Sequence, residues 1–209
     1  MWIKGFILTI MATLLLGQLM PAAAVAVSPT DTIRGSIDRI VTILNDPAFA
    51  APEQKATQRQ QIWEVARPMF DFEEISRRTI GTDWQRFTPD EKKRFADVFA
   101  RFLGNTYIDK LQSEFQNEKI TFQNELVRDT QALVRTQLIR QGAQIPIDYR
   151  MKSEKGEWKI YDILVENGVS LVKNYRVQFQ SALQKETPAQ LIERLQKRLD
   201  EPGSGFVSD

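Results

Sequence analysis

Asp162, in the stretch "WKIYDILV", is a single acid among apolar and aromatic neighbours. Read as a strand from Trp158, it shares a face with Trp158, Ile160 and Leu164, and Tyr161, Ile163 and Val165 take the other. A carboxylate held in an apolar pocket can serve as a general base, as in pocket-type isomerases. Asp148 in "IPIDYRM", beside Tyr149, is a second candidate for the same work. The plainer expectation for Asp162 is that it accepts hydrogen bonds from backbone or hydroxyl groups, because buried polar groups find partners.

The rest of the composition narrows the chemistry. The chain has 209 residues, no His and no Cys. Without His it lacks the commonest general base and the usual triad partner. Without His or Cys the ordinary transition-metal sites cannot be built. No glycine-rich phosphate loop and no calcium-loop pattern occurs in the sequence. What remains for catalysis is carboxylate, Tyr, Lys or Ser.

The first 26 residues, "MWIKGFILTIMATLLLGQLMPAAAVA", place Lys4 before an apolar run and end in small residues. That order predicts a secretory leader cleaved after Ala24 or Ala26. Its removal takes away Lys4 and no acid, leaving 27 basic and 27 acidic residues. A neutral chain without a polybasic stripe argues against nucleic acid as a partner. An exported chain without Cys must be stabilised by its core alone.

The positioning elements can be read from periodicity. Thr30 to Leu44 carries Ile33, Ile37, Ile40, Val41 and Leu44 on one helical face. "NDPAFAAPEQ" breaks the chain, and a second helix ends near Pro68. Asp71 and Glu74 predict a capping box, with Phe70 and Ile75 as a staple. Gly81 ends that helix. Thr88, Pro89 and Glu91 open the longest one, with Phe95, Val98, Phe99, Phe102, Leu103, Tyr107 and Leu111 as an aromatic-rich stripe.

From Lys119 the period changes to two, and four antiparallel strands follow in a meander. With Gln141 and Gly142 as turn residues, Leu138 faces Ile145, Thr136 faces Ile147, Val134 faces Tyr149 and Ala132 faces Met151. The other face then sets Arg135 against Asp148, a pairing that fixes register. Helices over 169–185 and from Thr187 complete the chain, and 201–209 reads as a flexible tail. The whole is an α+β domain whose apolar sheet face needs a helical cover.

Three segments together resemble one family. They are "FDFEEISRRTIGTDWQRFTPDEKKRFADVFARFLGNTYIDKL", "IPIDYRM" and "WKIYDILVENGVSLVKNYRVQF". Their content, order and spacing are similar to the MlaC-type (toluene-tolerance) family of periplasmic phospholipid carriers, over nearly the whole mature chain. The resemblance implies a nuclear-transport-factor-like cone, a curved four-stranded antiparallel sheet covered by helices round an apolar pocket. It implies no catalysis and no cofactor, with a diacyl phospholipid as cargo. It also implies a monomer working with two partners. One is the inner-membrane MCE-domain protein of an ABC lipid transporter, the other an outer-membrane lipoprotein complex.

On this reading residues 27–200 form one phospholipid-binding domain. Shared faces and the resemblance together nominate its lipid-binding residues. Phe99, Phe102, Leu103 and Tyr107 come from the long helix, and Val134, Leu138, Ile147, Tyr149 and Ile160 from the strands. Leu171, Val172 and Tyr175 come from the helix after them. The competing readings are a small exported isomerase or hydrolase using Asp162 or Asp148, and an adaptor with a filled core.

Overall fold

The computed structural model describes residues 27–166 and 168–200. The expected leader and tail lie outside the described residues.

Helix α1 (Pro29–Asn45) is capped by Ser28, whose hydroxyl accepts from the Asp31 N–H. Two short 3-10 turns, Pro47–Phe49 and Pro52–Gln54, fill the proline-containing break before α2 (Lys55–Ala66). A further 3-10 turn, Arg67–Met69, leads to α3 (Phe72–Ile80). Gly81 ends α3 at φ 68°, the left-handed region where a side chain is strained. After the 3-10 turn Gly81–Arg86 comes α4 (Pro89–Glu114). Its capping box is complete: the Glu91 N–H donates to Thr88 Oγ1 and the Thr88 N–H to Glu91 Oε2.

The box expected at α3 is only half made. Asp71 accepts from the Glu74 N–H at 2.9 Å, but the Glu74 carboxylate does not reach back. It accepts instead from Arg77 Nε and Nη2 and from Arg78 Nε, at 2.7–2.8 Å. A buried carboxylate gains more from two guanidiniums on its own helix than from one backbone amide. Burial alone would raise the Glu74 pKa; the two arginines outweigh it and hold the group below the ordinary carboxylate value.

The sheet is an antiparallel meander in the order β1 (Lys119–Arg128), β2 (Gln131–Arg140), β3 (Ala143–Glu154), β4 (Glu157–Val165) and β5 (Val169–Ser170). The count is five strands, not four. β5 has two residues, and only its pairing with Leu164 and Val165 defines it. Gln141 and Gly142 both have positive φ, as a two-residue hairpin turn requires. The β2–β3 register is the one that turn predicts, including Val134 opposite Tyr149 and Arg135 opposite Asp148. Arg135 Nε lies 3.7 Å from Asp148 Oδ2.

The expected facing of β4 needs correction. Met151 pairs with Ile160 but Arg150 pairs with Asp162, so Tyr161 is an extra residue. A bulge of this kind reverses the alternation beyond it. Ile163, opposite Tyr149, therefore joins the face of Trp158 and Ile160, while Asp162 and Leu164 turn to the opposite face.

Two apolar clusters result. In one, Ile33 of α1 and Met69 pack on Ala132, Val134, Tyr149, Met151 and Ile160 of the inner sheet face. The other joins α3, α4, α5 (Leu171–Leu183) and α6 (Pro188–Asp200) with Tyr161. Phe70 packs against both, and the Asp71 N–H donates to the Ile160 carbonyl at 2.9 Å. The helical layer is thereby tied to β4. Within that layer α4 leans on α6, α3 and α2. At the α2 contact the Trp63 ring occupies the place of a Cβ on Gly104, so the close approach needs glycine there.

Candidate functional site

Asp162 is 4% exposed, and every oxygen contact it makes is structural. It accepts from the Ser170 hydroxyl at 2.8 Å, the Val172 N–H at 3.1 Å and Arg150 Nη1 at 3.3 Å. Ser170 also caps α5 by accepting from the Lys173 N–H. One carboxylate thus pins the last strand pair to the first turn of the helix that follows. Asp148 is engaged with Arg135 on the outer face. Neither acid is directed at the inner apolar face. Among the described residues no group of three or more His, Cys, Asp or Glu could hold a metal ion.

The inner face is buried at one end and only half-buried at the other. Its buried end is the α1 cluster. Toward the β2–β3 turn, polar ties join the C-terminal end of α4 to the sheet. Arg140, on the inner face of β2, donates to Glu118 at 2.7 Å and to Glu114 at 3.4 Å. Burial by itself would raise the Glu118 pKa. Backbone donors from Gln116 and Glu118 itself, with Arg140, more than compensate and lower it. On the far side of α4, Arg59 pairs with Asp109, and Gln58 joins Gln112 to the Ile43 carbonyl. These contacts fix α4 between α2 and the sheet edge.

Tyr107, Leu111 and Glu114 stand at i, i+4 and i+7, on one helical face. Glu114 reaches Arg140 on the inner sheet face, and Tyr107 and Leu111 share its side of the helix, 41% and 40% exposed. At that end of the inner sheet face Ile120, Leu138, Ile145, Ile147 and Ile163 are only half-buried, and Val165 is 40% exposed. Apolar side chains on this side of α4 and at this end of the sheet are therefore left incompletely covered.

The twelve nominated residues divide between this half-covered end and the two closed clusters. Phe99, Phe102, Leu103, Val172 and Tyr175 belong to the helical cluster, with Leu171 at its edge. Val134, Tyr149 and Ile160 lie in the α1 cluster, with Ile147 at its edge. Leu138 and Tyr107 lie outside both. Phe99, Val134 and Ile160 have no exposed surface at all. The half-covered end also holds residues that were not nominated. Ile145 and Leu111 were legible from alternation and helical spacing; Ile163 was hidden by the bulge.

Two phenols, Tyr107 and Tyr175, stand close enough to act on each other, and the Tyr175 ring is wedged against Phe99, Phe102 and Phe179. Desolvation raises the pKa of both phenols, and the neighbouring Tyr107 raises that of Tyr175 further. Tyr149, hydrogen-bonded to Thr136, is pushed up by burial to about 12. A raised folded pKa contributes stability below the unfolded value of 10.0 that is lost as pH rises through the folded one. Absorbance of phenolate should therefore show Tyr149 ionising late, near pH 12 or with unfolding, and Tyr175 late as well, and stability should decline from about pH 10 upward. Early, reversible titration of all four Tyr would contradict this packing.

A curved antiparallel sheet covered by helices defines an α+β fold. Within that class the chain belongs to the MlaC family, whose model, described as MlaC protein, matches residues 34–197. It is similar to the toluene tolerance protein ttg2D of Pseudomonas putida, 28% identical over 167 residues, which is 77% of this chain and 75% of that protein. It also shares the fold of a phospholipid-binding protein from Ralstonia solanacearum solved in complex with a phospholipid. There the TM-score is 0.69 at 24% identity, covering 81% of this chain and 96% of that one.

Proposed function

We propose that the incompletely covered end of the inner sheet face lines a recess that takes the acyl chains of a diacyl phospholipid, and that the protein is a non-enzymatic carrier of phospholipid between two membranes. The observation that carries this is the set of apolar side chains left half-buried or exposed, Leu138, Ile145, Ile147 and Val165 at one end of the inner sheet face and Tyr107 and Leu111 on α4. Membership of the MlaC family and the phospholipid in the Ralstonia protein support the choice of ligand. Of the twelve nominated residues, Tyr107, Leu138, Ile147, Leu171 and Tyr175 would touch lipid. Phe99, Phe102, Leu103, Val134, Tyr149, Ile160 and Val172 would form the floor and walls behind them.

The energetics fit transfer rather than release. Two acyl chains hold on the order of 30 methylenes, worth roughly 20 to 25 kcal/mol on leaving water. A bilayer offers nearly the same gain, so exchange between membrane and protein is close to neutral, while release into water is prohibitive. Docking is therefore required at each end. The partners of this proposal are the MCE-domain protein of an inner-membrane ABC lipid transporter and an outer-membrane lipoprotein complex. The place of work is the periplasm, reached by removal of residues 1–26.

The test is extraction. Delipidated protein incubated with vesicles of phosphatidylglycerol and phosphatidylethanolamine should bring phospholipid into the supernatant after the vesicles are sedimented. A supernatant without lipid would refute the proposal, and lipid recovered as hydrolysed products would favour the enzyme reading.

A further inference from the structure

We infer that acyl chains enter and leave the site over the β5 edge of the sheet, with Val169 as the residue they cross. This rests on the carrier reading above and names the route by which that site is loaded.

Three observations carry it. First, the register joins all five strands in one row: Phe122, Thr136, Ile147, Val165 and Val169 stand opposite one another in turn. Residues directly opposite in an antiparallel pair project to the same side, so the whole row lies on the inner face. Second, the two ends of the row differ. At β1 the Arg34 guanidinium of α1 covers the Phe122 ring, 4.1 Å from its centroid. Along the row Thr136 is buried and Ile147 half-buried, Val165 is 40% exposed and Val169 61%. Among the described residues no strand follows β5. The inner face therefore runs out to solvent at Val169 as an apolar surface. Third, Val169 is held in that position. Its neighbour Ser170 donates to the buried Asp162 and accepts from the Lys173 N–H. Strand alternation then turns Val169 to the opposite, inner face. The Val169 N–H donates to the Glu166 carbonyl at 3.0 Å, and the Glu166 N–H to the Pro146 carbonyl at 3.1 Å. An exposed valine is thus fixed at the end of an apolar row by a buried carboxylate next door.

The route suits a hydrocarbon chain better than a head group. The Thr136 hydroxyl, the one polar side chain in the row, spends its hydrogen on the Ile147 carbonyl. The charged residues nearest to Val169 in sequence, Glu166 and Lys173, are of opposite sign. A phosphate calls for charged donors, and this row supplies none.

The experiment separates the rate of loading from its extent. Delipidated protein is mixed with vesicles of phosphatidylglycerol in which one acyl chain carries pyrene. Loss of excimer emission gives the rate of uptake, and lipid in the supernatant after sedimentation gives the amount bound per folded molecule. Val169→Asp should slow uptake about tenfold, the scale of about two methylenes denied an apolar contact during the crossing, and leave the final amount unchanged. Val169→Ser, a milder change, should fall between that variant and wild type. Val177→Asp, at a 67% exposed valine on α5, should match wild type. Uptake by Val169→Asp at the wild-type rate would overturn the inference and leave the carrier reading intact. A smaller final amount at an unchanged rate would place Val169 under the bound lipid instead of on its route, and overturn it. Equal slowing in Val177→Asp would reflect general vesicle contact and overturn it as well. Wild type that takes up no lipid would remove the carrier reading itself.

Discussion

A Leu138→Trp, Ile147→Trp double variant is expected to lose most of its bound phospholipid and to keep its fold. Leu138 pairs with Ile145 and Ile147 with Thr136 on the inner sheet face, and both nominated side chains are only half-buried. On the carrier reading an indole at each position enters the volume assigned to acyl chain, so overpacking is avoided. Excluding about six methylenes would forfeit about 5 kcal/mol of burial, enough to return the lipid to a membrane. Val134→Trp makes the contrast. Val134 has no exposed surface and is enclosed with Ile33, Met69 and Tyr149. A Trp there should cost about 1–3 kcal/mol of stability or more. Phosphorus content of the purified protein, beside thermal unfolding of the delipidated form, separates the two. Undiminished lipid in the double variant would show that the recess is not the lipid site.

Asp162→Ala is expected to destabilise the protein by about 2–4 kcal/mol, since it strips a charged acceptor from buried donors. Ser170 Oγ and the Val172 N–H would both lose their partner, and with them the link between β4, β5 and the start of α5. Arg150 would lose least, because its side chain is 46% exposed and water can replace the carboxylate. Asp162→Asn keeps acceptor capacity for one donor and should cost less. Equilibrium denaturation measures both. Lipid loading per folded molecule should be unchanged in either variant. A fully stable Ala variant would deny the pinning role, and loss of a turnover activity in the Asn variant would revive the acid as a catalyst.

Much of this fold could be read from residue types. The hairpin between β2 and β3 was legible because Gln141 and Gly142 take the positive φ that its turn needs, and because opposite charges at Arg135 and Asp148 mark one register. The caps at Ser28 and Thr88 are local in the same sense. β4 was not legible, because both faces of Trp158–Val165 are apolar and alternation carries no mark of the extra residue at Tyr161. β5 exists only through its partner strand.

The site was legible in part. Spacing placed Tyr107 and Leu138 on apolar faces. It could not tell which end of the inner sheet face α1 would close, since that depends on where Ile33 and Met69 come to rest. The half-box at Glu74 was missed for a related reason: two arginines on the same helix turn competed with the cap and won.

The most direct test of the carrier account is native mass spectrometry of the protein purified from an envelope extract without detergent. The account predicts a single added mass, released on activation as an intact diacyl phospholipid, and restored after delipidation by incubation with phospholipid vesicles. A mass equal to the polypeptide alone, both before and after that incubation, would contradict it.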